Sequence, residues 1–237
     1  VAAAALWDAV GEANSGGIEL IVRKGIPLKS GMGSSAASAV AGCVAVNALL
    51  ETPLGKEELL QYALAGEKLA SGALHADNVA PSLLGGMVLS PPALHPRLIR
   101  LPTPDDLCSV LLHPELTVST AEARQKLAKT YSMDAWLEQQ GYLAGFIAGL
   151  TGNDHGLISA SLRDVIIEPQ RADAVPCFDD VRNAALSAGA YGSSLSGSGP
   201  SIFALCHEQT AHAVSAAMQT ACEDSGYECQ SWISPLT

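Results

Sequence analysis

The chain has 237 residues, 48% of them hydrophobic, and its 24 acidic against 13 basic residues give a net charge of −11. A chain of this length can bury one large core or two modest ones, which allows two domains. The acidic balance argues against nucleic acid or an anionic membrane as a partner. No apolar run reaches the ~18 residues that a membrane-spanning helix needs.

Two predicted elements precede the first glycine-rich segment. Residues 1–7 are apolar but lack the basic flank of a signal peptide, and they continue with Asp8 and Glu12. This pattern predicts a helix rather than an export signal. Residues 18–22 form a short apolar run, which predicts a strand.

The first glycine segment, residues 27–39, follows this strand and leads into an alanine-rich helix predicted over 34–50 and buried on most sides. Small residues let the backbone approach a ligand closely, and the first amides of a helix point towards an anion, most often phosphate. The spacing fits neither the P-loop nor the dinucleotide fingerprint. A turn without any ligand remains the alternative.

The next predicted helix covers residues 54–71, with Thr52-Pro53 as its cap. Its apolar positions share one face with Glu67 at i, i+3/i+4, i+7 spacing. The other members of that face are Leu60, Ala63, Leu64, Ser71 and Leu74. A carboxylate facing a core needs a partner, so Glu67 is expected to meet either a cationic side chain or a metal ion.

Five prolines between residues 91 and 106 mark the predicted boundary between an N-terminal domain, 1–104, and a C-terminal domain, 105–237. The second half alternates strands and helices, which predicts an α+β domain with helices on one face of a sheet. The predicted strands are 107–113, a pair around the second glycine segment, and 229–233. The predicted helices are 120–130, 134–150, 156–163, 178–187 and 210–225.

The second glycine segment covers residues 190–201 and is followed by a buried-strand pattern at 202–206. A hairpin turn explains one or two of its glycines but not a run of small residues this long. We therefore predict that the two glycine segments form one site.

The six cysteines show no C-x-x-C spacing, and most lie in apolar runs. This favours buried free thiols in a reducing cytosol over disulfides or zinc ligands.

Residues 27–39 resemble the phosphate-binding motif of the GHMP small-molecule kinases, and 195–201 resemble the glycine-rich motif near their C-terminus. Over essentially its whole length the chain is similar to the bacterial homoserine kinases within that superfamily. The residues that carry this narrower resemblance are Glu67 and the segments 75–78, 119–124 and 164–171. The resemblance implies an α+β fold of two domains: a ribosomal-S5-like N-terminal α/β domain and a ferredoxin-like C-terminal α/β domain. It also implies a strand pair and a first motif, carrying an Asn and an Asp, ahead of Val1.

The resemblance further implies transfer of the γ-phosphoryl group of ATP to the side-chain hydroxyl of L-homoserine, a step of threonine biosynthesis, in a cytoplasmic homodimer. Mg²⁺ is assigned to Ser35 and Glu67, and no residue is convincing as a general base. The residues assigned to ATP are Pro27, Lys29, Ser30, Gly31, Met32, Gly33, Ser34, Ser35 and Ala36. Those assigned to the substrate are His75, Asp77, Asn78, Thr120, Arg124, Arg171, Gly197, Ser198 and Gly199.

Two positions depart from the family pattern, because Lys29 stands where a glycine is usual and Met32 where leucine is common. We expect the Lys29 side chain to point to water. Arg124 and Arg171 are the candidates for a forked contact to the substrate carboxylate. The alternatives are another GHMP kinase of the mevalonate or sugar type, a non-catalytic metabolite-binding paralogue, and an RNA-binding module related by fold alone.

Overall fold

The computed structural model describes residues 1–10, 17–71, 76–94, 97–118, 123 and 125–236. The chain forms two compact units. The first combines Val1–Leu28 with Gly33–Arg100, and the second combines Lys29–Met32 with Leu101–Thr237. The domain limits expected from the sequence stay a prediction, and they do not anticipate that residues 29–32 belong with the second unit.

The first unit is mainly helical. Its described helices are α1 (Ala2–Val10), α2 (Ser34–Asn47), α3 (Lys56–Ser71) and α4 (Ala76–Leu84). A short β1 (Met87–Leu89) pairs with β2 (Ile99–Leu101), and a 3-10 turn at Pro92–Leu94 lies between them. The helices pack around an apolar core whose fully buried members include Leu6, Cys43, Val46, Ala63 and Val79.

The strand predicted at residues 18–22 is wrong. Residues 17–25 form neither helix nor strand, and the side chain of Ile21 is 79% exposed. A strand needs a hydrogen-bonded neighbour, and in the described part of the chain no strand pairs with this segment.

The helix predicted at 34–50 begins where predicted, ends three residues earlier than predicted, at Asn47, and is less buried than predicted. From Ala36 onward its buried residues recur every three or four positions along one side, while Val44 on another side is 46% exposed. An apolar composition therefore does not place every side of α2 in the core.

The helix predicted at 54–71 begins two residues later than expected. The Gly55 N–H donates to Glu58 Oε2 at 2.8 Å, which caps α3 from its own first turn. Thr52-Pro53 consequently stays outside the helix. The side chain of Asn47 donates to the Leu54 carbonyl at 3.0 Å and accepts from the Leu54 N–H at 2.8 Å, so it holds this approach segment.

The second unit contains a four-stranded antiparallel sheet. Its strands are β3 (Leu107–Pro114), β4 (Ala190–Leu195), β5 (Ile202–His207) and β6 (Cys229–Pro235), in the spatial order β4-β5-β3-β6. The first and third of these strands along the chain, β3 and β5, are therefore neighbours in the centre of the sheet. This is the strand order of a ferredoxin-like sheet, so the predicted C-terminal architecture is confirmed.

The described helices of this unit are α5 (Met133–Gly152), α6 (His155–Ser161), α7 (Glu168–Arg171), α8 (Phe178–Ser187) and α9 (Ala211–Asp224). Short 3-10 turns follow α7 and β5. Alternate residues of β3 and β5 share one apolar core with α8 and α9. Of the helix predicted at 120–130, residues 120–122 and 124 lie outside the described residues. Residues 123 and 125 are helical, but 126–130 form turns and irregular structure, so the predicted C-terminal half of this helix is wrong. None of the described helices is long and apolar enough to cross a membrane.

All six cysteines are free thiols, and five of them are buried. Burial raises the pKa of Cys43 and of Cys206 to about 11, so both thiols stay protonated at neutral pH. The prediction of buried free thiols is confirmed.

Candidate active site

The first glycine segment turns sharply, because three of its residues adopt the left-handed backbone region. Lys29 has φ = 56°, Gly31 has φ = 77° and Gly33 has φ = 69°. Glycine reaches this region without steric cost, whereas a lysine does not. This backbone gives a physical reason for the glycine that is usual at position 29. The Lys29 side chain itself is exposed.

The segment ends at the N-terminus of α2. Gly33 is the N-cap residue and has no side chain with which to cap the first turn, and the Ser34 hydroxyl donates instead to the Ile26 carbonyl at 3.0 Å. The first amides of this 14-residue helix therefore receive no side-chain cap from these two residues, and they lie at the positive end of the helix dipole. Such a terminus suits an anion, and the half-buried Ser35 hydroxyl lies in its first turn.

The second glycine segment packs directly on residues 30 and 31 of the first. The Ser201 N–H donates to the Ser30 carbonyl at 3.2 Å, and the Ser196 hydroxyl donates to the Gly31 carbonyl at 3.0 Å. A Cβ atom on Gly31 would lie only 2.1 Å from the Ser196 carbonyl oxygen. The structure thus brings the two glycine segments together.

The second segment is itself a closed turn. The Ser196 N–H donates to the Ser201 carbonyl at 2.8 Å, and the Gly199 N–H donates to the Ser196 carbonyl at 2.9 Å. Gly197 and Gly199 both have positive φ, and the bond before Pro200 is cis. Glycine is needed here because the chain reverses within six residues while it stays in contact with residues 30 and 31.

Arg171, at the end of α7, fixes this turn and also lines a cavity. Its Nη1 donates to the Gly197 carbonyl at 2.8 Å. Its Nε atom is buried and has no hydrogen-bond partner among the described residues. The cavity has a volume of about 130 Å³, and Lys126 and Gln170 also line it. A buried donor and two cationic side chains make this cavity suitable for a small anionic group.

The residues before Arg171 hold α7 in place. Asp164 Oδ1 accepts the N–H groups of Ile166 at 2.9 Å and Ile167 at 2.7 Å. Glu168 is buried, and its Oε1 lies 3.5 Å from Arg182 Nη1. Burial raises the pKa of the Glu168 carboxyl, while a hydrogen bond from Ser194 and the charge of Arg182 act in the opposite direction. These contacts hold the segment that leads into α7, and Arg171 is the last residue of that helix.

The remaining described candidates lie in the first unit. Glu67 is only 3% exposed on α3, and Ser35 lies on α2, which packs against α3 and α4. Asp77 and Asn78 are exposed in the first turn of α4. The Asn78 side chain lies beside Gly33, since a Cβ atom there would be 3.2 Å from Asn78 Oδ1.

His75, Thr120 and Arg124 lie outside the described residues. Of the two arginines predicted to contact the substrate carboxylate, only Arg171 lies among the described residues, and that contact stays a prediction. The described residues contain no cluster of three or more His, Cys, Asp or Glu side chains able to hold a metal ion. A metal held by one carboxylate and one hydroxyl would need further oxygen ligands from a bound molecule.

Sequence reasoning missed three residues that the structure places at the junction of the glycine segments. Ser196 and Ser201 supply the hydrogen bonds to the first segment, and His113 contacts Ser201. The serines stand within the second glycine segment, which was recognised. His113 stands at the end of a strand, where no motif draws attention to it.

Two protein-family models match the chain. The GHMP kinases N terminal domain matches residues 1–86, and the GHMP kinases C terminal model matches residues 136–224.

Individual relatives agree with these matches. The homoserine kinase of Chlorobium phaeobacteroides (strain BS1) is 49% identical over 224 residues, which cover 93% of this chain and 70% of that protein. The homoserine kinase of Chlorobaculum tepidum is 44% identical over 93% of this chain and 69% of that protein. A crystal structure of homoserine kinase from Cytophaga hutchinsonii has a TM-score of 0.86 at 44% identity, over 89% of this chain and 67% of that one.

Proposed function

Because the chain belongs to the homoserine kinase family of the GHMP kinases, we propose that it transfers the γ-phosphoryl group of ATP to the hydroxyl of L-homoserine. The product is O-phospho-L-homoserine. The observation that carries the substrate assignment is Arg171, which lines a small cavity. Its buried Nε has no hydrogen-bond partner in the described part of the chain, while its Nη1 is anchored to the Gly197 carbonyl. A guanidinium that lines a small cavity and has an N–H donor left for a ligand is suited to bind a carboxylate. We therefore favour an amino-acid substrate over mevalonate or a sugar.

On the substrate side, we assign to homoserine the residues that the resemblance names. Arg171, together with Arg124, holds the carboxylate, and Asp77 and Asn78 offer oxygen acceptors to the ammonium group. Asp77 and Asn78 are exposed at the start of α4, which leaves their side chains accessible to a ligand.

On the nucleotide side, residues 27–36 hold the phosphates of ATP. Support comes from the left-handed backbone at Lys29, Gly31 and Gly33 and from the first turn of α2, whose N-cap residue supplies no side-chain cap. The positive end of the α2 dipole then stabilises the negative charge of the phosphates.

Mg²⁺ is assigned to Glu67 and Ser35, and the donor chemistry of these residues fits it. A buried carboxylate and a hydroxyl on neighbouring helices are hard oxygen ligands, and Mg²⁺ in kinase sites uses few protein ligands and completes its shell with phosphates and water. When bound, the ion neutralises charge on the transferred group.

The reaction proceeds by positioning and electrostatic stabilisation. Phosphoryl transfer has a loose transition state, so a hydroxyl held in line with the γ-phosphorus needs little activation. We assign no general base. The chain's own contribution is to hold phosphate, carboxylate and ammonium at fixed points.

The reaction is tested by measuring ADP release with L-homoserine, mevalonate and galactose, on the chain preceded by the N-terminal segment that the family resemblance implies. We expect turnover with L-homoserine alone. Turnover with mevalonate or galactose instead would assign the chain to another kind of GHMP kinase. Binding of L-homoserine without ADP release from any of the three would indicate a non-catalytic paralogue.

Replacing Arg171 with leucine is expected to raise the KM for L-homoserine by at least about 30-fold and to change the KM for ATP little. Loss of a charge-assisted contact to a carboxylate typically costs on the order of 2–5 kcal/mol. Steady-state kinetics with each substrate varied in turn measure this. Arg163→Leu, which removes an arginine stacked on Tyr142 in the same unit, is the matched control.

A second substrate distinguishes whether Arg171 binds homoserine or ATP. The amino alcohol 3-amino-1-propanol is homoserine without its carboxylate, and it should be a poor substrate that Arg171→Leu hardly affects further. Equal weakening of ATP and homoserine by Arg171→Leu would instead assign this residue to the nucleotide.

We further assign the chain to threonine biosynthesis in the cytoplasm and to a homodimer. The support for the dimer is the exposure of large apolar residues near and on the first half of α5, where Met133 is 70%, Trp136 52% and Leu137 61% exposed.

A further inference from the structure

His113 is a buried titratable residue that the proposed reaction does not use. The antiparallel register of β3 and β5 pairs Leu112 with Ile202, so the next residues, His113 and Ser201, stand opposite each other. His113 is 8% exposed and Ser201 is fully buried. Their side chains are in contact, with His113 Nδ1 3.0 Å from Ser201 Oγ.

Ser201 in turn contacts both glycine segments through its backbone. Its N–H donates to the Ser30 carbonyl at 3.2 Å, and its carbonyl accepts from the Ser196 N–H at 2.8 Å. The Ser196 hydroxyl then donates a hydrogen bond to the Gly31 carbonyl at 3.0 Å. A continuous path of hydrogen bonds therefore runs from the His113 ring to residues 30 and 31.

The charge state of His113 suits a structural contact rather than direct phosphate binding. Burial lowers the pKa of His113, and the nearby Glu115 carboxylate acts in the opposite direction. The ring is consequently neutral at pH 7. A neutral, buried imidazole hydrogen-bonded to a buried hydroxyl restricts the rotation of both side chains, because each would otherwise lose its partner in a water-poor surrounding.

We propose that His113 is a positioning residue of the nucleotide site, which acts by holding Ser201 and, through it, the backbone of Ser30 and Gly31. This inference rests on the proposed function, since residues 30 and 31 are assigned there to ATP. His113 touches neither substrate in this scheme. Its contribution is to keep residues 30 and 31 in one conformation before ATP binds, which lowers the cost of binding.

The test compares two replacements of His113. Asparagine places a polar atom near the position of Nδ1 and can keep the contact to Ser201, whereas leucine fills similar space without a polar atom. His113→Leu is expected to raise the KM for ATP about fivefold, the factor that corresponds to one hydrogen bond. The KM for L-homoserine should stay unchanged, and His113→Asn should restore ATP binding.

Ser201→Ala tests the path itself. It should raise the KM for ATP to a similar degree, and combining it with His113→Leu should add little, because both changes break the same contact. The matched control is Ser193→Ala, which removes another buried serine hydroxyl, one without a hydrogen-bond partner among the described residues. If His113→Leu does not fold, Ser201→Ala and His113→Asn still carry the test.

An unchanged KM for ATP in His113→Leu and Ser201→Ala, or full additivity of the two, would overturn the proposal. Failure of the proposed function is a separate outcome, in which the unmodified protein neither binds ATP nor releases ADP. In that case amide hydrogen exchange tests the positioning role of His113 independently of any activity. Faster exchange at the amides of Met32 and Ser201 in His113→Leu would support its positioning role, and unchanged exchange would contradict it.

Discussion

Replacing Gly31 with alanine is expected to weaken ATP binding by at least about 30-fold and to abolish turnover. A Cβ atom at this position would lie 2.1 Å from the Ser196 carbonyl oxygen and 3.0 Å from the Gly199 carbonyl oxygen. Both are backbone atoms and cannot rotate away, so the two glycine segments must separate. The loss corresponds to two hydrogen bonds of about 1 kcal/mol each. Calorimetric titration with ATP measures the change in affinity.

Gly85→Ala is the matched control for this variant. Gly85 has φ = 78°, nearly the value of Gly31, but a Cβ atom there would meet nothing within 4 Å. Both variants therefore carry the same penalty of about 1–2 kcal/mol for a left-handed alanine, and only Gly31→Ala also clashes. Gly85→Ala should lose thermal stability and keep its affinity for ATP. If both variants bind ATP equally well, the contact between the segments is not part of the nucleotide site.

Replacing Glu67 with glutamine is expected to lower kcat by at least about 100-fold, a size typical of losing one group that stabilises the transition state. The carboxylate is 3% exposed and lies on α3, which packs against the helix that carries Ser35. Glutamine preserves the shape but removes the negative charge that attracts Mg²⁺. The Mg²⁺ concentration for half-maximal rate should therefore rise. Titration of the rate with MgCl₂ at saturating ATP measures both effects.

Glu57→Gln is the control, since it makes the same change at an exposed position in the first turn of the same helix. It should leave both kcat and the Mg²⁺ requirement unchanged. A purely structural role for Glu67 predicts a different pattern, in which Glu67→Gln lowers the melting temperature while the Mg²⁺ dependence of the remaining activity is normal. That result would remove Glu67 from the metal site.

The sequence alone predicted the elements whose pattern is local. The helix at 178–187 was located to the residue, and the strands at 107–113 and 229–233 were located to within two residues. Periodicity and turn residues determine such elements over short stretches of chain. The same is true of the family assignment, because the glycine motifs and the segment 164–171 are contiguous runs, and the matched relatives confirm it.

Tertiary structure decided the features that depend on partners distant in the chain. The apolar run at 18–22 is not a strand because, among the described residues, none pairs with it. The roles of Ser196, Ser201 and His113 follow from contacts that span 165, 171 and 88 residues of sequence. A motif describes which residues stand side by side along the chain. It carries no information on which backbone carbonyl a serine will reach once the sheet has formed, and that is set by the register of β3 against β5.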